Sequence, residues 1–239
     1  MVTVSLELSG PEASRPHIER ARPGHPSLLD PQHRMDALFG VVNIPNVVWI
    51  DEDGVIVRPP EPGWPSADRL MPAGIAELAP RLSRAAGAPE PVAGSAGYQA
   101  ALNSGQDRGS YADAIRDWVT KGADSEFALS PSQVVARSQP RSAGVSEAAA
   151  HFELANALWR SGRRDLAIAH FNACHRLQPD NWTYRRQAYS LISNERVGGK
   201  FGRFAQGPVR GEEDDWPFES DFRSQVAVLG EGEYYPRTP

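Results

Sequence analysis

The sequence predicts an α/β domain with a mixed sheet, followed by an all-helical region and an irregular C-terminal arm. Three stretches carry that prediction. Val41 to Pro59 (VVNIPNVVWIDEDGVIVRP) holds two strand-like runs around a tight turn. Glu147 to Pro179 places small and bulky residues at helical spacings, and beyond Gly198 no helical period survives. These changes of pattern divide the chain into 1–86, a linker at 87–97, a helical region at 98–195 and an arm at 196–239.

Taken in order, Val2 to Leu8 (VTVSLEL) alternates apolar and polar residues as a strand does. Pro11 to Arg22 reads as a helix or turn and Pro26 to Asp30 as a short strand. Pro31 to Phe39 reads as a helix capped by Asp30 and stopped by Gly40. Asn46 to Ile50 (NVVWI) is an almost continuous apolar run, the pattern of a strand buried on both faces, and Val55 to Val57 is its partner. Asp53-Gly54 between them is the dipeptide a type I′ hairpin turn prefers. Pro45 cannot donate to a ladder, which puts it at the entry of the first strand.

An Ile-Pro step feeding an apolar strand, then a D-x-x-G turn and a second strand, resembles the C-terminal half of a thioredoxin-like domain, most nearly of the ResA/TlpA type. The resemblance covers the first third of the chain. It implies an incomplete thioredoxin-like domain in 1–86, a cis Ile44-Pro45 loop facing a substrate, and thiol-disulfide or peroxide chemistry on a protein thiol, disulfide or peroxide. It also implies a redox motif ahead of Met1, of the W-A-x-x-U-G-C kind (U being selenocysteine), on a first strand and helix that would precede Val2 to Leu8. With that central strand missing, Val2 to Leu8 should be poorly paired or rearranged against Asn46 to Ile50.

Ser66 to Ala86 then reads as a helix, with Leu70, Ile75, Leu78 and Leu82 apolar and Pro72 and Pro80 interrupting it; Gly87 to Gly97 (GAPEPVAGSAG) is a small-residue linker. Further helices are expected at Tyr98 to Asn103, Ser110 to Lys121 (apolar stripe Ala114, Ile115, Trp118, Val119) and Ser130 to Arg137, with a break at Ser138 to Ser146. In Glu147 to Pro179, Ala155, Leu158, Gly162, Ala167, Phe171 and Pro179 stand where two helices cross closely. This resembles a tetratricopeptide (TPR) unit. It departs from that pattern in lacking the early Trp, in Ala155 at the usual Gly, and in Cys174 at a usual Ala. Asp180-Asn181 can cap a further helix, Trp182 to Asn194. One repeat cannot bury its own faces, so that helix and those near Tyr111 are expected to stack on either side of it. The arm carries Phe201, Phe204, Trp216, Phe218, Phe222, Tyr234 and Tyr235, an aromatic content expected to pack rather than stay disordered.

Composition narrows the function classes. A net charge of −5 gives no electrostatic reason for a nucleic-acid or anionic-membrane partner. No apolar run reaches transmembrane length and the start lacks a signal-peptide pattern, so a cytoplasmic, soluble protein is expected. One cysteine, Cys174, excludes an internal disulfide or C-x-x-C pair. Cys174 with His170 could offer two metal ligands on one helical face, or an activated thiolate, but a buried small residue at a helix crossing fits better. His17, His25 and His33 recur every eight residues, yet Pro23 and Pro26 break any helix that would align them. Asp51, Glu52 and Asp53, like Glu212 to Asp215, read as solvated turns. Metal and cofactor are therefore expected to be absent. Two functions compete: a thioredoxin-superfamily redox protein, or a non-catalytic scaffold whose TPR-like helices bind a partner peptide.

Overall fold

The structure, a computed structural model, describes residues 1–63, 108–192, 204, 207–229 and 233–234. The helices expected at Ser66 to Ala86 and Tyr98 to Asn103, and the linker at 87–97, lie outside the described residues. The chain divides into two compact units, one formed by Met1–Val42 with Arg141–Ala188, the other by Asn43–Pro140 with Tyr189–Pro239. Each unit draws residues from both sides of the expected linker. The linear division at residues 86 and 98 remains a proposal for limited proteolysis to test.

In the first unit, β1 (Thr3–Ser5) pairs in parallel with β2 (Ser27–Leu29), joined by α1 (Pro11–Ala21), and α2 (Arg34–Phe39) follows. The pairing answers one expectation about Val2 to Leu8: its strand shortens to three residues, partnered by β2. The helix expected from Pro31 begins later. His33 is its N-cap residue in the left-handed region (φ 53°), while the Asp30 carboxylate still accepts the Met35 N–H at 2.8 Å. Three helices complete the unit: α5 (Ala143–Arg160), α6 (Arg164–Leu177) and the start of α7 (Trp182–Leu191). The break expected at Ser138 to Ser146 is shorter than that, because Ser142 accepts the Val145 N–H and starts α5 at once.

In the second unit, β3 (Asn46–Ile50) pairs antiparallel with β4 (Ile56–Pro62), with bulges between Val47, Trp49 and Ile50. The described strands thus form two two-stranded sheets rather than one mixed sheet, and a thioredoxin fold is not shown. Nor is β3 buried on both faces: Trp49 is 2% exposed and Ile50 45%. Successive side chains of a strand point to opposite faces, so a hairpin covered on one face buries Trp49 and leaves Ile50 outside.

The turn also differs from the type I′ expectation. Asp51 Oδ1 accepts the N–H groups of Asp53 (3.0 Å) and Val55 (2.8 Å), and Gly54 N–H donates to Asp51 O at 3.1 Å. Left-handed non-glycines among the described residues are Arg22 and His33, so Gly54 (φ 80°) alone takes positive φ here. With the Asp51 side chain holding the loop, one left-handed residue suffices.

Helix α3 (Arg108–Lys121) covers the hairpin. Tyr111, Ala114, Ile115 and Trp118 gather around Trp49, with Val47, Val57 and Phe127. Val119, expected on the stripe, is 72% exposed. Tyr111 replaces it: its hydroxyl accepts from Trp49 Nε1 and donates to Glu61 Oε1, each at 3.1 Å. The helix near Tyr111 thus has the hairpin as its core partner. After it in the chain, α4 (Pro131–Arg137) opens on a capping box made by Ser130 and Gln133. In the arm, Phe204, Phe222 and Tyr234 cluster, while Tyr189 meets Trp216 and Phe218. A short helix, α8 (Phe222–Ala227), appears where no helical period was read, started by the Asp221 side chain on the Ser224 N–H.

Candidate functional site

The helix pair α5–α6 is the best-defined candidate. Ala148, Ala155, Ala167 and Cys174 have no exposed surface, so the two backbones approach where side chains are smallest. Phe152 and Phe171 fill the space beside them, ring centres 5.9 Å apart. Between the helices the chain turns through Ser161, Gly162 and Arg163; Gly162 takes φ 79°, which a side chain would resist. After Pro179, Asn181 caps α7, its Oδ1 accepting from the Tyr184 N–H at 3.0 Å and the Thr183 hydroxyl at 2.7 Å. Both Trp182 and Thr183 donate their N–H groups to Val42 O.

One side of this pair is taken up within the unit by a polar cluster. Asp36, on α2, is 1% exposed. Its carboxylate accepts from the Tyr184 hydroxyl at 2.8 Å and Gln178 Nε2 at 3.3 Å, with Arg141 Nη2 at 3.5 Å. Burial pushes the Asp36 carboxyl above its usual range, against the pull of these partners. His33 lies edge-on to Phe152, ring centres 5.0 Å apart, and is likewise 1% exposed. Neither of its nitrogens has a hydrogen-bond partner, and burial lowers its pKa to about 4. Nearby, Arg185 donates to His175 O (3.0 Å) and Pro179 O (3.1 Å). Burial first, then the Arg185 charge, lowers the His175 pKa to about 3.

The other side is open. Ala150, Leu154 and Ala157 on α5, and Leu166 and Ala169 on α6, are exposed, both leucines at 45%. Arg164 sits over the Trp159 ring at 5.1 Å. An exposed apolar stripe rimmed by charge is a surface suited to another polypeptide.

The residues singled out in the sequence are scattered. Ile44 and Pro45 are half-buried in the second unit, their peptide bond is cis, and Asn43 Oδ1 accepts the Ile44 N–H at 2.9 Å. Cys174 is buried in the helix pair with its thiol pKa pushed up by burial, so it stays protonated and inert. His170 meets His151, not Cys174, Nδ1 to Nδ1 at 2.7 Å. His17 is exposed, His25 half-buried and His33 buried. Among the described residues no group of three or more His, Cys, Asp or Glu is placed to hold a metal ion. Asp51 serves the turn, and Glu213–Asp215 form an exposed 3₁₀ turn. His151 and the Asp36 cluster went unread. The only local sign of the first was Glu147, one turn before His151; the second left none, because Asp36 and Tyr184 are 148 residues apart.

The family model for the tetratricopeptide repeat matches residues 148–181. No curated protein and no solved structure matches the chain. The thioredoxin-like resemblance thus gains no support from these comparisons. No described helix is long and apolar enough to cross a membrane. Helix pair, small-residue crossing and family match coincide: residues 148–181 are a tetratricopeptide repeat.

Proposed function

We propose that this protein is a non-catalytic interaction scaffold whose repeat docks a partner polypeptide on the open face of α5 and α6. The exposed stripe of Leu154 and Leu166 on a tetratricopeptide repeat carries the reading. A repeat unit joins others by burying such faces, and here the stripe's opposite side already holds the Asp36 cluster. The test places a photo-crosslinking residue at Ala157, identifies the captured protein and reconstitutes the pair from purified components. Affinity should fall at least tenfold in Leu154→Asp and Leu166→Asp. Equal binding by both variants would reject this face.

A second reading, thioredoxin-superfamily redox chemistry, draws on the order of elements: a parallel strand pair, a helix, Ile44-Pro45 and an antiparallel hairpin. It requires a nucleophile other than Cys174. An in-frame C-x-x-C, or a selenocysteine equivalent, ahead of Met1 would support it; codons without either would remove it.

A further inference from the structure

We propose that His151 and His170 form a two-imidazole binding site for a divalent first-row transition ion, with solvent completing the coordination. His151 on α5 and His170 on α6 face each other across the helix pair, Nδ1 to Nδ1 at 2.7 Å with ring centres 4.9 Å apart. Two imidazole nitrogens this close hold something between them. In the ion-free protein it is a proton, donated by one ring and accepted by the other.

A cation can take that place once the donor ring carries its hydrogen on Nε2 instead of Nδ1, so that two neutral imidazoles bind the ion with no proton lost overall. At metal–nitrogen distances of about 2.0–2.1 Å, nitrogens at right angles on one ion stand about 2.9 Å apart. The rings would have to separate only slightly and tilt. A tetrahedral ion would need about 3.3 Å. The smaller change favours the tetragonal preference of Cu²⁺ or Ni²⁺ over Zn²⁺, and imidazole suits all three.

The surroundings prepare the same atoms. Glu147 Oε1 lies 3.8 Å from His151 Nε2, the nitrogen turned away from His170. At that distance the carboxylate makes no direct hydrogen bond, but it places negative charge beside the imidazole pair, where a cation would gain from it. The His151 side chain is 26% exposed, so an ion and its water ligands can reach it. Cys174, one turn beyond His170, is buried and protonated and contributes no ligand. The pair spans two helices that a repeat must hold together. An ion bound to both would stabilise their packing in proportion to its free concentration.

The experiment is calorimetric titration of the full chain with Cu²⁺ and, separately, with Zn²⁺, near pH 7.5. One equivalent of Cu²⁺ should bind and raise the melting temperature. His151→Gln and His170→Gln, checked for native circular dichroism, should each lose that equivalent and the thermal shift. Glu147→Gln should weaken binding less than either histidine substitution does. Absence of a one-equivalent site in the parent chain overturns the proposal. So does its survival in both histidine variants, which would assign the ion to the amino terminus or to His17 and His25.

Discussion

The two units bury different chemistry. Around the repeat, the interior holds titratable groups in unlike states: Asp36 with donors from Tyr184, Gln178 and Arg141, and the neutral rings of His33 and His175. Around the hairpin, the buried charge is a closed pair. Arg58 Nε and Nη2 donate to Glu61 Oε1 and Oε2 at 2.8 and 2.9 Å, Nη1 donates to Phe127 O at 2.7 Å, and the guanidinium lies 5.2 Å from the Trp49 ring centre. The bidentate pair answers its two charges with each other, whereas a buried neutral imidazole does not keep its neutrality in acid without cost. The two interiors should therefore answer differently to truncation, to pH and to crowding.

The largest contrast should come from Trp49→Ala. Removing a ring held by Tyr111, Trp118 and Arg58 should cost the hairpin unit about 3–5 kcal/mol. Hydrogen exchange should then quicken in 46–62 and 108–121 and hold its rate in 143–188. Equal acceleration everywhere would show that the two units unfold as one.

Acid should do the reverse. The unfolded chain protonates His33 near pH 6.5, but the folded form resists until about pH 4. Stability from this group is thus complete above 6.5 and lost as the pH falls toward 4, on the order of 3 kcal/mol. His175 acts in the same direction, its folded pKa near 3. Asp36 opposes them, since its raised pKa lets the folded state gain a proton first as pH falls. Exchange in 143–188, corrected for intrinsic rates, should rise between pH 6.5 and 4.5 while 46–62 changes less. His33→Phe should blunt that rise; an unchanged pH profile in the variant would clear His33 of the effect.

Smaller effects follow at single contacts. Ala167→Phe overpacks the α5–α6 crossing and should lower stability by about 1–3 kcal/mol in a denaturant titration. In the same crossing, Cys174 should react slowly with a thiol reagent in native protein and fast in denaturant. Asp51→Ala removes the acceptor of two turn amides and should cost about 1 kcal/mol, confined to the hairpin. A midpoint shift as large as that of Trp49→Ala would mean the turn, not the ring cluster, holds the hairpin.

What could be read in advance follows the range of each interaction. The repeat was legible because Ala155, Gly162, Ala167 and Phe171 repeat a local spacing, and the Asn181 cap lies beside the helix it starts. Helix α3 was legible in place but not in rotation. Tyr111, Ala114, Ile115 and Trp118 obey the same period as a stripe ending in Val119, and only the contacts to Trp49 and Glu61 choose between them. The Gly54 turn was located, but its type depended on where the Asp51 carboxylate pointed. The Asp36 cluster and the His151–His170 pair join residues from different elements, and no periodicity announces such a meeting.

The first unit is closed by its own ends: Asp36 has no Tyr184 until 148 more residues have been made. At about 5–20 residues per second of synthesis, the early strands and helix wait roughly 7–30 s for their partners. During that interval a ribosome carries an unmatched carboxylate and imidazole on a nascent chain. The interval opens a window in which holding factors can engage α2 before α7 does.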